Sequence, residues 1–113
     1  MPRGEIWQVS LDPTVGSEMR KSRPAVIVSR DSIGILPLKV IVPLTGWRDE
    51  YAKAEWLVPL ERNPKIGLVK KSAADCFQVR SVSDERLIKK IGELSEREMR
   101  LIDTALALAL QLD

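Results

Sequence analysis

A short basic segment precedes an apolar run near the amino terminus of this sequence. Arg20, Lys21 and Arg23 lie within "GSEMRKSRPAVIVS", directly before the β-branched residues that follow Ala25. Cationic side chains at the end of a strand can bind an anion, and a guanidinium can clamp two oxygens of one phosphate. The same charges also fit an ordinary solvated turn. The choice between an anion site and a turn decides which functions the chain can have.

The composition restricts the chemistry further. The 113 residues include no histidine and a single cysteine, Cys76. The commonest metal ligand and general base near neutral pH is therefore missing, and no intrachain disulfide can form. We expect no metal and no cofactor, and we interpret Cys76 as a small buried apolar residue. The formal net charge is only +2, but a second basic pair, Lys70 and Lys71, allows a basic face on a nearly neutral chain.

Length and hydropathy predict one folded domain over residues 1–113. The chain is 44% hydrophobic and 30% charged, which is typical of soluble proteins. It contains neither an apolar run long enough to span a membrane nor the basic-then-apolar profile of a signal peptide. We therefore expect a cytoplasmic protein without a membrane partner.

Alternation of apolar and polar residues predicts several short strands. In residues 5–11, Trp7, Val9 and Leu11 share one face. Pro43 lies within another predicted strand and indicates a bulge or an edge position, because proline cannot donate to the ladder. Further strands are predicted over residues 25–29, 39–45 and 55–60, with one or two more in 68–82, where Phe77 and Val79 would face opposite to Gln78 and Arg80.

Between these strands lie four predicted connections. Residues 12–24 hold two prolines and a glycine and are long enough to carry function. Gly34 and Pro37 interrupt the pattern over residues 30–37. Residues 46–54 are interpreted as a mobile surface loop of the kind that acts as a lid, and residues 61–67 as a turn.

The carboxyl-terminal segment changes to a helical period. Ser95 and Glu98 have the spacing of a capping box, and apolar residues then form two stripes. Since one stripe suffices to pack on the strands, we expect the second to be covered by a second copy or another protein, with a deep groove within one chain as the alternative. The first stripe comprises Met99, Ile102, Leu106 and Ala109, and the second Leu101, Ala105, Leu108 and Leu112.

Short strands followed by a terminal helix predict an α+β, mainly β fold, a partly open antiparallel barrel.

Several blocks of this sequence closely resemble the MazF/PemK family of toxin endoribonucleases. They are Arg3 to Trp7, Asp12-Pro13, Gly16-Ser17-Glu18, Arg23-Pro24 before a β-branched strand, "VIVPLT" ending at Thr45, "CFQVRSVSDERL" and "IGELSEREMRLIDTALALAL". The blocks cover nearly the whole chain in the family's order and spacing.

The resemblance implies an SH3-like barrel with a carboxyl-terminal helix, assembled as a homodimer. It further implies a metal-independent, sequence-selective endoribonuclease that cleaves single-stranded mRNA by attack of the 2′-hydroxyl, leaving a 2′,3′-cyclic phosphate and a 5′-hydroxyl. Such a toxin inhibits translation and growth. Its partner would be a cognate antitoxin whose acidic carboxyl-terminal segment folds over the RNA groove, in a complex that also binds DNA.

By the same resemblance, Arg23 matches the family's catalytic arginine and Thr45 its second active-site residue. Arg23 is assigned an electrostatic role rather than that of a proton donor, because its pKa is so high. Glu18 is a candidate catalytic residue that could be the general base or could orient the loop. Ser17 could bind phosphate or satisfy backbone groups of the turn.

The second signature departs from the family at Phe77, where many relatives carry an aspartate. Asp75 lies two positions earlier, on the same face of a predicted strand, and could replace that carboxylate roughly 6 to 7 Å away. Phe77 itself could belong to the core or form a platform for a base. Further RNA contacts are expected from Arg20 and Lys21, which would steer the strand, and from Trp47, which would stack on a base as Tyr51 could. Gln78 and Arg80 are expected to contact bases or phosphate, with an ordinary exposed sheet face as the alternative. Trp56 is interpreted as packing.

Two other interpretations remain open at the level of sequence. One is an RNA- or antitoxin-binding module of the same fold that lost catalysis with the change at Phe77. The other is a toxin like the gyrase poison of related fold, which the Arg23-Pro24 signature disfavours.

Overall fold

The computed structural model describes residues 2–31 and 36–112. Within them a seven-stranded sheet is followed by one α-helix, and four short 3-10 helices lie in the connections. The strands are β1 (Glu5–Ser10), β2 (Ser22–Ile27), β3 (Leu38–Gly46), β4 (Leu57–Leu60), β5 (Ser72–Asp75), β6 (Arg80–Ser83) and β7 (Leu87–Glu93), the helix is α1 (Glu96–Leu110), and the 3-10 helices are Asp49–Lys53, Pro64–Ile66, Cys76–Gln78 and Asp84–Arg86.

The sheet is antiparallel and open. Its strand order is β4-β5-β3-β2-β1-β7, with β6 paired to β3 outside this path, and every strand pair runs antiparallel. No direct pairing between β4 and β7 closes the path in the part of the chain that is described. The predicted α+β, mainly β architecture, a partly open barrel with a carboxyl-terminal helix, is confirmed.

β3 is the central strand, and Pro43 lies in its middle. β2 pairs with one edge of β3, where Ala25 is opposite Pro43. Along the other edge, β6 pairs as far as Ile41 and β5 from Leu44 onward. The prediction of an edge position or bulge at Pro43 is wrong, because the missing N–H falls where β3 changes partners.

Both faces of the sheet are buried around β1 to β3. On one face, Ile6 and Val42 pack with Met99 and Ile102 of α1. On the other, Val9 and Leu11 form a second cluster, against which Trp7 packs. The predicted apolar face of Trp7, Val9 and Leu11 is therefore confirmed.

The helix begins at the predicted capping box. The Ser95 hydroxyl accepts a hydrogen bond from the Glu98 N–H, and the Glu98 carboxylate accepts one from the Ser95 N–H. Met99 and Ile102 of the first stripe are buried, but in the second stripe Leu101 is 44% exposed. The alternative of a deep groove within one chain is wrong, since the distal part of this stripe is exposed too: Leu108 at 39% and Leu112 at 72%. No helix among the described residues has the length and apolar character needed to cross a bilayer.

Some element boundaries differ from the sequence-based expectation. β2 begins at Ser22 rather than Ala25, because Ser22 to Pro24 continue the ladder with β1. Residues 46–54 contain the 3-10 helix Asp49–Lys53, and the strand expected over residues 55–60 begins at Leu57. Of the connection predicted over residues 30–37, residues 32–35 lie outside the described part of the chain.

Residues 68–82 form two strands separated by a turn. β5 ends at Asp75, the 3-10 helix Cys76–Gln78 follows, and β6 begins at Arg80. The expectation that Phe77 and Val79 share one strand face and Gln78 and Arg80 the other is wrong, because the backbone is helical at residues 76–78.

Candidate functional site

Arg23 and Thr45 meet on neighbouring strands. β2 and β3 are paired as far as Ala25 and Pro43, and extending that register by two residues aligns Arg23 with Thr45. Arg23 Nη1 donates to Thr45 Oγ1 at 3.3 Å, and Arg23 Nε donates to the Arg20 carbonyl at 3.2 Å. These two bonds fix the plane of the guanidinium. The structure thus brings Arg23 and Thr45 together, which are two of the three candidate catalytic residues.

This pair lies in a basic cleft of about 280 Å³. Arg20 and Lys21, expected to steer a polyanion, also line it. Within the described residues the lining includes four basic side chains and no acidic one, so the cleft favours an anion and disfavours a divalent cation. The basic cleft is lined by Arg20, Lys21, Ser22, Arg23, Pro24, Leu44, Thr45, Gly46, Lys70 and Ser72.

Lys70 is a charged residue that lines the basic cleft and was not predicted from the sequence as a site residue. Its Nζ lies 3.1 Å from the position that a Cβ at Gly46 would occupy. Gly46 is paired with Ser72 at the start of β5, which places Lys70 beside the end of β3. The basic pair at residues 70 and 71 was the available signal, but its position against Gly46 depends on strand pairing.

The Glu18 carboxylate orients its own loop. Its Oε1 accepts a hydrogen bond from the Val15 N–H at 2.6 Å. Glu18 and Arg23 both line a second cleft of about 560 Å³ along the loop, here called the loop cleft. Glu18 does not line the basic cleft that holds Thr45. Of the two roles open to Glu18, the observed geometry displays loop orientation.

Gln78 ties this loop to the end of β5. Its Oε1 accepts from the Met19 N–H at 2.7 Å, and its Nε2 donates to Asp75 Oδ2 at 3.3 Å and, more weakly, to the Ser17 carbonyl at 3.5 Å. We call these contacts the Gln78 latch. Both polar atoms of the amide are engaged within the protein, so Gln78 positions the loop in this structure.

Asp75, the last residue of β5, is almost completely buried. It is 9% exposed, and its Oδ1 accepts a hydrogen bond from the Phe77 N–H at 3.0 Å. Burial raises the pKa of the Asp75 carboxyl, although hydrogen bonds from Phe77 and Gln78 oppose the shift. The carboxylate therefore caps the 3-10 helix Cys76–Gln78 and does not stand on an open strand face.

Phe77 is 73% exposed, so the core alternative for this residue is wrong. Its ring meets that of Trp56, with centroids 6.2 Å apart and planes at 61°. Trp56 packs as expected but is itself 40% exposed. Phe77 also lines a third cleft of about 350 Å³, the Phe77 cleft, together with Ser17, Glu18, Gln78 and Arg80.

Arg80 and Trp47 contribute in different ways. Arg80 lines the Phe77 cleft, and its Nη1 donates to the Leu11 carbonyl at 3.1 Å, which ties β6 to the end of β1. Trp47 follows β3 outside the lining of the basic cleft. Its ring meets that of Tyr51 edge to face at 5.9 Å, and the Lys71 ammonium lies 4.7 Å from its centroid.

Comparison with known proteins agrees with this fold. A family model described as PemK-like, MazF-like toxin of type II toxin–antitoxin system matches residues 2–110. Endoribonuclease MazF9 of Mycobacterium tuberculosis is 39% identical over 118 residues, covering 99% of this chain and 98% of that protein. The chain belongs to the PemK-like, MazF-like toxin family.

Solved structures show the same fold at lower identity. A crystal structure of MazF from Deinococcus radiodurans has a TM-score of 0.80 at 19% identity, covering 98% of this chain and 96% of that one. An endoribonuclease in complex with its cognate antitoxin from Mycobacterial species has a TM-score of 0.77 at 24% identity, covering 100% and 97%.

Proposed function

We propose that this chain is the toxin of a type II toxin–antitoxin pair and an endoribonuclease that cleaves single-stranded RNA in the basic cleft. The observation that carries the proposal is the contact of Arg23 with Thr45 inside a cleft lined by cations. Membership of the toxin family and the 39% identity with a protein named as an endoribonuclease support the activity.

In the proposed reaction the nucleophile belongs to the substrate. The 2′-hydroxyl of RNA attacks the adjacent phosphorus, and the bond to the 5′-oxygen of the next nucleotide breaks. The 2′-proton passes to a base, and a proton is delivered to the leaving 5′-oxygen. The products are a 2′,3′-cyclic phosphate and a 5′-hydroxyl, and DNA is not cleaved because it lacks the nucleophile.

Arg23 and Thr45 would stabilise the charge that develops on the phosphoryl oxygens. Among the described residues the remaining N–H groups of the fixed guanidinium have no acceptor, so they can donate to those oxygens. Thr45 Oγ1 accepts from Arg23, which leaves its own O–H available as a second donor. Donors fixed before the reaction cost little reorganisation in the transition state, and such stabilisation is typically the largest catalytic contribution.

For Glu18 we propose loop positioning rather than base catalysis, since its carboxylate caps the Val15 N–H. The variant Glu18→Gln distinguishes the two roles, because the glutamine oxygen can still accept from Val15 whereas the amide cannot take up a proton. A positioning role predicts that most cleavage is kept. A fall by a factor of about 10² to 10⁴ would identify Glu18 as the general base.

The partners follow from charge and apolar surface. We propose that an acidic segment of the cognate antitoxin covers the basic cleft, and that a second copy of the chain covers the exposed leucines of α1, Leu101 and Leu108. We further propose that the chain acts as one domain in the cytoplasm, where it cleaves mRNA and so inhibits translation.

The direct test incubates the purified protein with a long single-stranded RNA in EDTA. Wild type is expected to cleave and to leave cyclic phosphate ends, whereas Arg23→Ala is expected to bind without cleaving. Wild-type binding without cleavage would reject the enzyme and indicate an RNA- or antitoxin-binding module. Cleavage lost in EDTA and restored by a divalent cation would reject the metal-independent reaction.

A further inference from the structure

The side chain of Lys70 enters the basic cleft over a glycine. Gly46 and Ser72 are cross-strand partners, and Lys70 lies two residues before Ser72. A Cβ placed on Gly46 would lie 3.1 Å from Lys70 Nζ and 3.3 Å from its Cε. The end of the lysine side chain therefore lies directly against Gly46, the residue after Thr45, closer than ordinary van der Waals contact with a Cβ there would allow.

The neighbouring lysine lies in a different environment. Lys71 Nζ is 3.6 Å from the Glu61 carboxylate and 4.7 Å from the centroid of the Trp47 ring, and Lys71 does not line the basic cleft. For Lys70, no carboxylate lies within ion-pair distance among residues 2–31 and 36–112. The two adjacent lysines therefore differ in whether their charge is already paired.

Lys70 also differs from Arg23 in how its charge is held. Two hydrogen bonds fix the Arg23 guanidinium, whereas within the described residues no hydrogen bond fixes the Lys70 ammonium. A mobile point charge can follow a phosphate through the reaction, so it binds the ground state and the transition state about equally. A guanidinium fixed in one position can match the charge distribution of the transition state better than that of the ground state.

Accepting the proposed endoribonuclease function, we infer that Lys70 is a substrate-binding residue that holds a phosphate of the RNA strand in the basic cleft. It lowers KM and leaves the chemical step to Arg23 and Thr45. Gly46 favours this position of the ammonium, because a Cβ there would push the end of the lysine aside by a few tenths of an ångström.

The first test is the variant Lys70→Ala with single-stranded RNA. Its KM is expected to rise roughly two- to fivefold with kcat retained, the size of effect expected for an exposed charge pair. The slope of log affinity against log salt concentration should become shallower by about 0.7, the value for one phosphate contact on a single strand. The control Lys71→Ala removes the same charge one residue along and should leave this slope unchanged.

The second test keeps the charge and moves it. Gly46→Ala places a methyl group against the end of the Lys70 side chain, a flexible neighbour that can move at little cost to folding. Because the mobile ammonium gives way by only a few tenths of an ångström, KM should rise less than in Lys70→Ala. The double variant should resemble Lys70→Ala alone, because the methyl group has no ammonium left to displace.

The outcomes separate this inference from the function on which it rests. If wild type cleaves RNA and Lys70→Ala keeps its KM and salt slope, the role of Lys70 is rejected while the endoribonuclease stands. Equal changes in the Lys70 and Lys71 variants would also reject it, since they would indicate a general field rather than one contact. Absence of cleavage by wild type would reject the proposed function itself.

Discussion

Removing the Gln78 latch should loosen the loop that carries Arg20 and leads into Arg23 on β2. In Gln78→Ala the Met19 N–H loses its acceptor at 2.7 Å, and Asp75 Oδ2 loses a donor at 3.3 Å. The bond to Ser17 at 3.5 Å is too long to contribute much.

The expected loss is about 1–3 kcal/mol, because one short hydrogen bond disappears and a largely buried carboxylate oxygen is left without its amide donor. Hydrogen exchange at the Met19 amide measures this loss locally, and exchange should become about 5- to 150-fold faster for such a change in opening free energy. Gln8→Ala is the matched control, because Gln8 is also half-buried but makes no side-chain hydrogen bond within the described residues.

The pH dependence provides a second readout of the same variant. Burial raises the pKa of Asp75 in the folded protein and the Gln78 hydrogen bond partly opposes the shift, so Gln78→Ala should raise it further. A carboxyl with a raised folded pKa contributes stability that is complete below its unfolded pKa and is lost as pH rises through the folded pKa. The variant should therefore lose more stability at neutral pH than under acidic conditions.

Two results would refute this reasoning. One is exchange at Met19 that matches the Gln8→Ala control. The other is a stability difference between wild type and Gln78→Ala that does not shrink as the pH falls below the ordinary range for aspartate.

Two further predictions concern packing and charge away from the cleft. Gly92→Ala should destabilise the fold by about 1–3 kcal/mol, because its Cβ would lie 2.6 Å from the Ile66 carbonyl oxygen. Urea unfolding measures the loss, and an unchanged free energy of unfolding would contradict the prediction. Lys90→Ala should lower Tm more than Lys89→Ala, since only Lys90 pairs with the buried Glu5, at 2.9 Å. Burial raises the pKa of Glu5, but the hydrogen bonds from Lys90 and Trp7 outweigh this effect, so the pKa is lowered overall. The stability that the Glu5–Lys90 pair contributes should therefore be present above the ordinary glutamate pKa and be lost as the pH falls through the lowered pKa. Equal Tm values for Lys90→Ala and Lys89→Ala at neutral pH would contradict this prediction.

Local patterns in the sequence were enough to predict much of the fold. The alternation of Trp7, Val9 and Leu11 and the capping box at Ser95 depend on residues close together in the chain, where period and hydrogen bonding are readable. The missed turn after β5 also had a local signal. Asp75 accepts from the N–H two residues on, as aspartate often does in turns.

Other features depend on partners far apart in the chain. β2 starts at Ser22 only because β1 continues its pairing to Ser10. Lys70 enters the cleft because the pairing of β5 with β3 sets it over Gly46. Periodicity within one segment contains no information about these registers.

The candidate site also combines features that could be predicted from the sequence with features that depend on distant residues. The family resemblance assigned Arg23 and Thr45 separately to the active site, and their contact is seen only in the folded structure. The engagement of Gln78 with Met19, 59 residues earlier, was not readable from local spacing, which instead predicted an RNA contact. The role of Gln78 in holding the loop can be recognised only from the contacts in the folded structure.

The most direct test of the central claim is the cleavage rate of Arg23→Lys, measured in single turnover beside its affinity for the same RNA. Lysine keeps the positive charge but cannot reproduce the planar donor set that Arg23 directs at Thr45 and the Arg20 carbonyl. RNA affinity should stay within severalfold of wild type while the cleavage rate falls by about 10²-fold or more. Cleavage at the wild-type rate, or a loss of affinity that matches the loss of rate, would contradict the assignment of Arg23 to transition-state stabilisation.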